Sequence, residues 1–184
     1  MRGKPSRALL LPVKKIAAVH ARSSAHSMSR PASAALRFAY ALQKRLWRLL
    51  RPRTRGVKVM LFNAKRELLL IRNSYGRSDL YVLPGGGVRP FESPEAAARR
   101  EVLEELGCSV EGLEPIAAFV STGEGKRDTV YLFEARALGE PRPDEFEVVE
   151  CRYVSVDALP EAVSPATLRR IAEFRGKAPR AAAW

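Results

Sequence analysis

The stretch Gly86-Gly87-Val88-Arg89-Pro90-Phe91-Glu92-Ser93-Pro94-Glu95-Ala96-Ala97-Ala98-Arg99-Arg100-Glu101-Val102-Leu103-Glu104-Glu105-Leu106-Gly107-Cys108 decides how the chain is read. A glycine-rich turn leads into a helix. Ser93 is its candidate N-cap, with Pro94 at the first helical position. Gly107 is a suitable residue to end it. Glu101, Glu104 and Glu105 stand at i, i+3 and i+4, so they share one face. Like charges so close repel one another, and a helix that carries them wants a cation. Oxygen-only ligands suit a hard divalent ion such as Mg²⁺ or Mn²⁺.

Outward from this stretch the chain alternates between strand and turn signals. Val57 to Phe62 and Glu67 to Arg72 read as two strands of a hairpin, joined by the turn Asn63-Ala64-Lys65-Arg66. Leu80 to Leu83 reads as a short strand that stops at Pro84. Beyond the helix, strands are expected at Cys108–Val110, Leu113–Ser121, Asp128–Arg136 and Glu145–Val154. Ser164 and Pro165 open a second helix that ends near Gly176, and residues 178–184 carry no pattern. A mixed sheet with one helix in mid-chain and one near the end is an α/β sandwich.

Charge is unevenly spread over the 184 residues. The net charge is +12, yet residues 1–66 hold 17 Lys or Arg and no Asp or Glu. The remainder combines the other 15 basic residues with all 20 acidic ones, so the basicity does not belong to the carboxylate helix. Residues 1–34 are rich in Ala, Ser and Arg and read as a disordered basic arm. Met28 is an alternative start, and His20 and His26 lack partner ligands. Residues 35–54 read as an amphipathic basic helix and linker. Ala35, Ala39, Leu42, Leu46 and Leu49 form its apolar stripe, with Tyr40 and Trp47 as candidate interfacial aromatics. This segment docks on the domain's own core, meets anionic membrane or nucleic acid, or forms a homodimer contact. No apolar run approaches the roughly 18 residues of a membrane span. The two cysteines, Cys108 and Cys151, read as small core residues kept reduced in a cytosol.

Taken in order, Gly86, Glu92, Arg100-Glu101, Glu104-Glu105 and Gly107 resemble the Nudix box at every signature position. Glycines alone mark a turn and glutamates alone a solvated face; their joint spacing is what makes the match specific. The lead-in Leu83-Pro84-Gly85-Gly86 also looks like that family's. Two positions depart from it: Cys108 where an aliphatic residue is usual, and Phe91 where many members have glycine, which would reshape the loop. The resemblance implies a Nudix-like α/β/α sandwich over about residues 55–176, preceded by the basic amphipathic helix and followed by a tail at 177–184. It implies Mg²⁺-dependent hydrolysis of the diphosphate in a nucleoside diphosphate linked to another moiety, in the cytoplasm.

Glu104 and Glu105 are then the metal ligands, with Glu101 a third ligand or the base for water, and the resemblance adds the Gly85 carbonyl. Glu92 holds Arg100 in an ion pair that pins loop to helix. Gly85 and Gly86 let backbone approach the substrate. Arg72, Arg77 and Tyr81 are candidate substrate contacts, with Phe119 a further stacking candidate, and Glu147 or Glu150 a further acidic ligand. Two other readings compete: a catalytically weak nucleotide-sensing module, and a peripheral membrane or RNA-binding protein with an accessory hydrolase.

Overall fold

The first strand, β1 (Arg53–Phe62), opens on the polar residues Arg53, Thr54 and Arg55 and is buried on both faces over its second half, where Val59 to Phe62 is accordingly a continuous apolar run. Val57, Val59 and Leu61 point to one side, Met60 and Phe62 to the other, as the two-residue period of a strand requires. The computed structural model describes residues 53–121 and 127–184. The basic arm, almost all of the amphipathic helix and linker, and the positions Met28, His20, His26, Tyr40 and Trp47 lie outside the described residues.

After β1 come β2 (Leu68–Asn73), α1 (Pro94–Leu106), β3 (Ser109–Ser121), β4 (Arg127–Leu138), β5 (Val148–Val154) and α2 (Pro165–Phe174). They form a five-stranded sheet in the order β3-β4-β1-β2-β5. β1 and β4 run parallel; the other pairs are antiparallel. This is the mixed sheet of an α/β/α sandwich. One face packs Val57, Val59 and Leu69 against Ala97, Val102 and Leu106 of α1. The other packs Met60, Phe62 and Leu70 against Ile171 and Phe174 of α2, with the Phe62 and Phe174 rings stacked at 5.5 Å.

Both helices begin as the sequence signals. Ser93 accepts from the Ala96 N–H at 3.1 Å, and Ser164 accepts from the Thr167 N–H at 3.2 Å. Gly107 closes α1 with φ +62° and donates to Leu103 O at 2.9 Å. A left-handed residue there lets an otherwise orphaned carbonyl be satisfied.

Four differences from the sequence reading have local causes. Leu80–Leu83 makes only isolated bridges, Ile71 with Val82 and Tyr81 with Val163. After Pro84 the chain crosses to β1 instead: Val59 N–H donates to Pro84 O (3.0 Å), Val57 N–H to Gly86 O (2.9 Å) and Val88 N–H to Arg55 O (2.9 Å). The two strands expected across 108–121 are one, β3, with register shifts between Glu111 and Glu114 and between Pro115 and Ala117. β5 begins at Val148 and not Glu145, because the Asp144 carboxylate accepts from the Phe146, Glu147 and Val148 N–H groups in a turn. The C-terminal residues pair with β3: Val120 N–H donates to Ala182 O and Trp184 N–H to Val120 O, at 3.1 and 3.0 Å. Arg170, wholly buried, lies 3.8 Å over the Phe119 ring and bonds Ala183 O and Glu173 beneath that segment.

Candidate active site

The crossing of residues 84–88 onto β1 presses the glycine turn against the last two turns of α1. Gly85 has φ +123°, and a Cβ there would overlap the Val57 carbonyl, so only glycine passes so close to β1. Its N–H donates to Glu105 Oε2 at 2.8 Å. Its carbonyl accepts from Lys58 Nζ at 2.6 Å, and the same ammonium reaches Leu83 O at 2.8 Å. A Cβ on Gly86 would stand 2.6 Å from the Glu101 carboxylate, so the turn's second glycine makes room for that side chain.

Arg100 ties the loop to the helix. Its Nε and Nη2 donate to the two Glu92 oxygens at 2.8 and 2.9 Å, a bidentate pair. Nη2 also reaches Gly87 O, and Nη1 reaches Glu101 and Glu104 at 2.7 and 2.9 Å. Glu92 accepts from the Arg89 N–H as well. Bonds from Arg100 first, and that N–H second, hold the Glu92 carboxyl down at about 2. The same Glu92 bonds raise Arg100 above its ordinary value.

Glu105 is different. It is 5% exposed, and burial pushes its carboxyl up to about 7. Lys58 and the Gly85 N–H oppose that rise; Glu101 and Glu147 add to it. Burial, then the nearby Asp144, Glu101 and Glu104, raises Glu147 also. Tyr75 joins the same group: burial, then Glu147, Glu105, Glu101 and Asp144, drives its phenol well above the ordinary range. Ser74 fixes that loop, its N–H on Glu147 O and its Oγ on Phe146 O, each at 2.8 Å.

The structure therefore gathers Glu92, Arg100, Glu101, Glu104, Glu105, Gly85 and Gly86, and adds Glu147 to them. It does not bring Arg72 or Tyr81 there. Arg72 pairs with Glu150 at 2.7 Å, and the Tyr81 hydroxyl donates to the same carboxylate. The Tyr81 ring lies in the core on the α2 side. Phe119 is core beneath Arg170, and Arg77 faces Asp79 on the surface. Tyr75 and Lys58 were missed by sequence reasoning. An isolated tyrosine in a polar loop and a lysine in a strand carry no signal until the turn brings them to the carboxylates.

Among the described residues no three acidic, histidine or cysteine side chains converge on one metal-ligating point. Arg100 stands between Glu101 and Glu104, and Gly85 holds Glu105. The donor set still fits a hard divalent cation. It is all oxygen, and the buried Glu105 bears a charge penalty that a cation relieves.

Comparison with known proteins places this geometry. The NUDIX domain matches residues 52–174. A protein of Bacillus subtilis (strain 168) named "Putative 8-oxo-dGTP diphosphatase" is 32% identical over 127 residues, which are 68% of this chain and 82% of that one. A "NAD-capped RNA hydrolase NudC" of Chromobacterium violaceum is 30% identical over 118 residues, 64% of this chain but only 44% of that longer protein. Among solved structures, a MutT NUDIX hydrolase of Burkholderia pseudomallei superposes with TM-score 0.59 at 24% identity. The match covers 65% of this chain and 95% of the other, and at that identity the likeness is one of fold. A MutT protein of Methanosarcina mazei Go1 gives 0.57 at 25% identity, over 69% and 95%.

Proposed function

The chain belongs to the NUDIX domain family, and from that premise we propose that it is a hydrolase that cleaves the diphosphate of a nucleoside diphosphate linked to another moiety. Mg²⁺ is the proposed cofactor, with Mn²⁺ as substitute. Glu101, Glu104 and Glu105 would hold it, together with the Gly85 carbonyl. When bound, such an ion neutralises phosphate charge and lowers the pKa of the attacking water.

The single observation that carries the reading is the buried Glu105 carboxylate on the Gly85 N–H, beside Glu101 fitted against Gly86. The protein's own residues supply the rest. Gly85 to Gly87 present backbone where a phosphate can approach. Arg100 and Glu92 fix the loop so that Glu101 is a ligand or takes the proton from attacking water. Glu147 is the further acidic group in reach; Glu150 is engaged by Arg72 and Tyr81.

The proposed organisation is a catalytic domain over 55–176 with a basic arm, a cytoplasmic location, and contact of residues 35–51 with anionic membrane, nucleic acid or a second copy. No helix among the described residues is long and apolar enough to cross a membrane. The test is a phosphate-release screen over nucleoside diphosphate derivatives with Mg²⁺. Glu104→Gln and Glu105→Gln should lose nearly all turnover while keeping the wild-type circular dichroism spectrum. Unchanged rates in both variants would sink the mechanism.

A further inference from the structure

β1 and β4 bring Arg53 and Arg127 into direct register, with Arg55 opposite Thr129 two residues along. Like charges directly opposite one another on a sheet are destabilising unless something lies between them. Two other arginines of this sheet have carboxylate partners, Arg72 with Glu150 and Arg136 with Glu111, as has Arg66 of the β1–β2 turn with Glu134. Among the described residues neither Arg53 nor Arg127 has one, and Asp128 points to the opposite face, bonded to Thr54. Arg53, Arg55, Arg127 and Thr129, with Thr54 and Val120, line a groove of about 530 Å³.

The groove adjoins the box loop. Arg55 is held to that loop by Val88, and its guanidinium lies 3.4 Å from Glu92 O. Next to Glu92 stands Phe91, wholly exposed and left-handed at φ +63°. Phe91 thus adopts a backbone conformation that favours glycine, and the bulky ring is carried at a cost of about 1–2 kcal/mol. A side chain that is strained and buries nothing in the fold calls for another use. An exposed ring on a loop that borders a groove with two arginines lacking carboxylate partners among the described residues is what a single-stranded nucleotide chain requires: a face for a base and cations for its phosphates.

We propose that this groove and Phe91 form a subsite for an oligonucleotide whose 5′ end carries the diphosphate to be cleaved. The inference rests on the hydrolase reading above for the chemistry of that end. Gly85 lies against Val57 and Lys58, so Arg55 and Arg53 stand about 7 and 13 Å up the same strand at ~3.3 Å per residue. The reacting end and the subsite are therefore within reach of one short chain.

The test is fluorescence anisotropy of the full-length protein with a labelled 5′-triphosphorylated pentaribonucleotide in EDTA, so that binding is read without turnover. Arg53→Ser with Arg127→Ser should weaken binding at least tenfold. It should also flatten the log–log salt dependence by about 1.4, at ~0.7 per lost single-strand phosphate contact. Phe91→Gly should weaken binding at least threefold while raising Tm, a pairing that a merely structural role does not give. Both variants should hydrolyse a mononucleoside substrate at the wild-type rate. Wild-type affinity in both variants, as when the basic N-terminal third does all the binding, overturns the proposal. So does a wild-type protein that binds a mononucleoside triphosphate as tightly as the pentamer. A protein that loses binding in both variants yet hydrolyses nothing keeps the subsite and overturns the hydrolase reading; hydrolysis with unaltered binding does the reverse.

Discussion

Replacing Glu105 by Gln should make the metal-free protein more stable at pH 8 and leave it unchanged at pH 4. Glu105 holds its proton up to about pH 7 in the folded protein, whereas in the unfolded chain it gives it up near 4.5. As pH rises between those values the folded state binds more protons than the unfolded one, so stability falls across that window and stays low above it. At about 1.36 kcal/mol per pH unit the difference is about 3 kcal/mol. Glutamine keeps an oxygen for the Gly85 N–H and has no charge to bury, so the variant escapes the loss. The assay is urea unfolding in EDTA at both pH values, comparing variant with wild type so that other titrating groups cancel. An equal or less stable variant at pH 8 would show that burial does not dominate at Glu105. Added Mg²⁺ should then stabilise the wild type more than the variant, because the ion relieves the same penalty.

The neighbouring residues give sharper separations of stability from activity. Gly85→Ala should destabilise by roughly 2 kcal/mol or more, since it forces a side chain into left-handed backbone and into the Val57 carbonyl; thermal unfolding checks it. Gly86→Ala should leave Tm within a few degrees and cut turnover, because its Cβ meets only the movable end of Glu101. Lys58→Met should cost about 2 kcal/mol in EDTA at pH 8, having removed two charge-assisted hydrogen bonds and the cation nearest Glu105. Magnesium should restore more of its Tm than it adds to the wild type. Arg100→Lys keeps the charge but loses the fork on Glu92, and turnover should fall on the order of tenfold with a misplaced loop.

What could be read in advance follows from how local the determinants are. Ser93, Pro94 and Gly107 bound α1 by interactions within a turn or two of themselves, and the expected bounds match those observed. Glu101, Glu104 and Glu105 needed only helical spacing to be grouped. Tyr75 and Glu147 reach them through loops held by Ser74 on Phe146 O and by the Asp144 N–H on Glu105 O, bonds that join residues distant in sequence. Arg72 and Tyr81 sat close to the box along the chain, but the alternation of β2 sends Arg72 to the α2 side, where Tyr81 packs in the core. Nothing in residues 178–184 announces that Trp184 packs at 5.7 Å on Phe119, because the apolar partner comes from β3 and the buried cation from α2.

The crossing of residues 84–88 onto β1 also fixes how the site opens. The amides of Val57, Val59 and Val88 are all bonded in that crossing, and β1 is the central strand, between β4 and β2. Protons on such amides exchange with solvent only when the whole sheet comes apart. The carboxylate cluster thus has no private melting transition on the side of the glycine turn. Motion that admits and releases a substrate is left to the other wall, the loops around Tyr75 and Asp144, which are tied to one another by Ser74 N–H on Glu147 O, to the end of α1 by the Arg142 and Asp144 amides, and to β5 by the Glu145 amide.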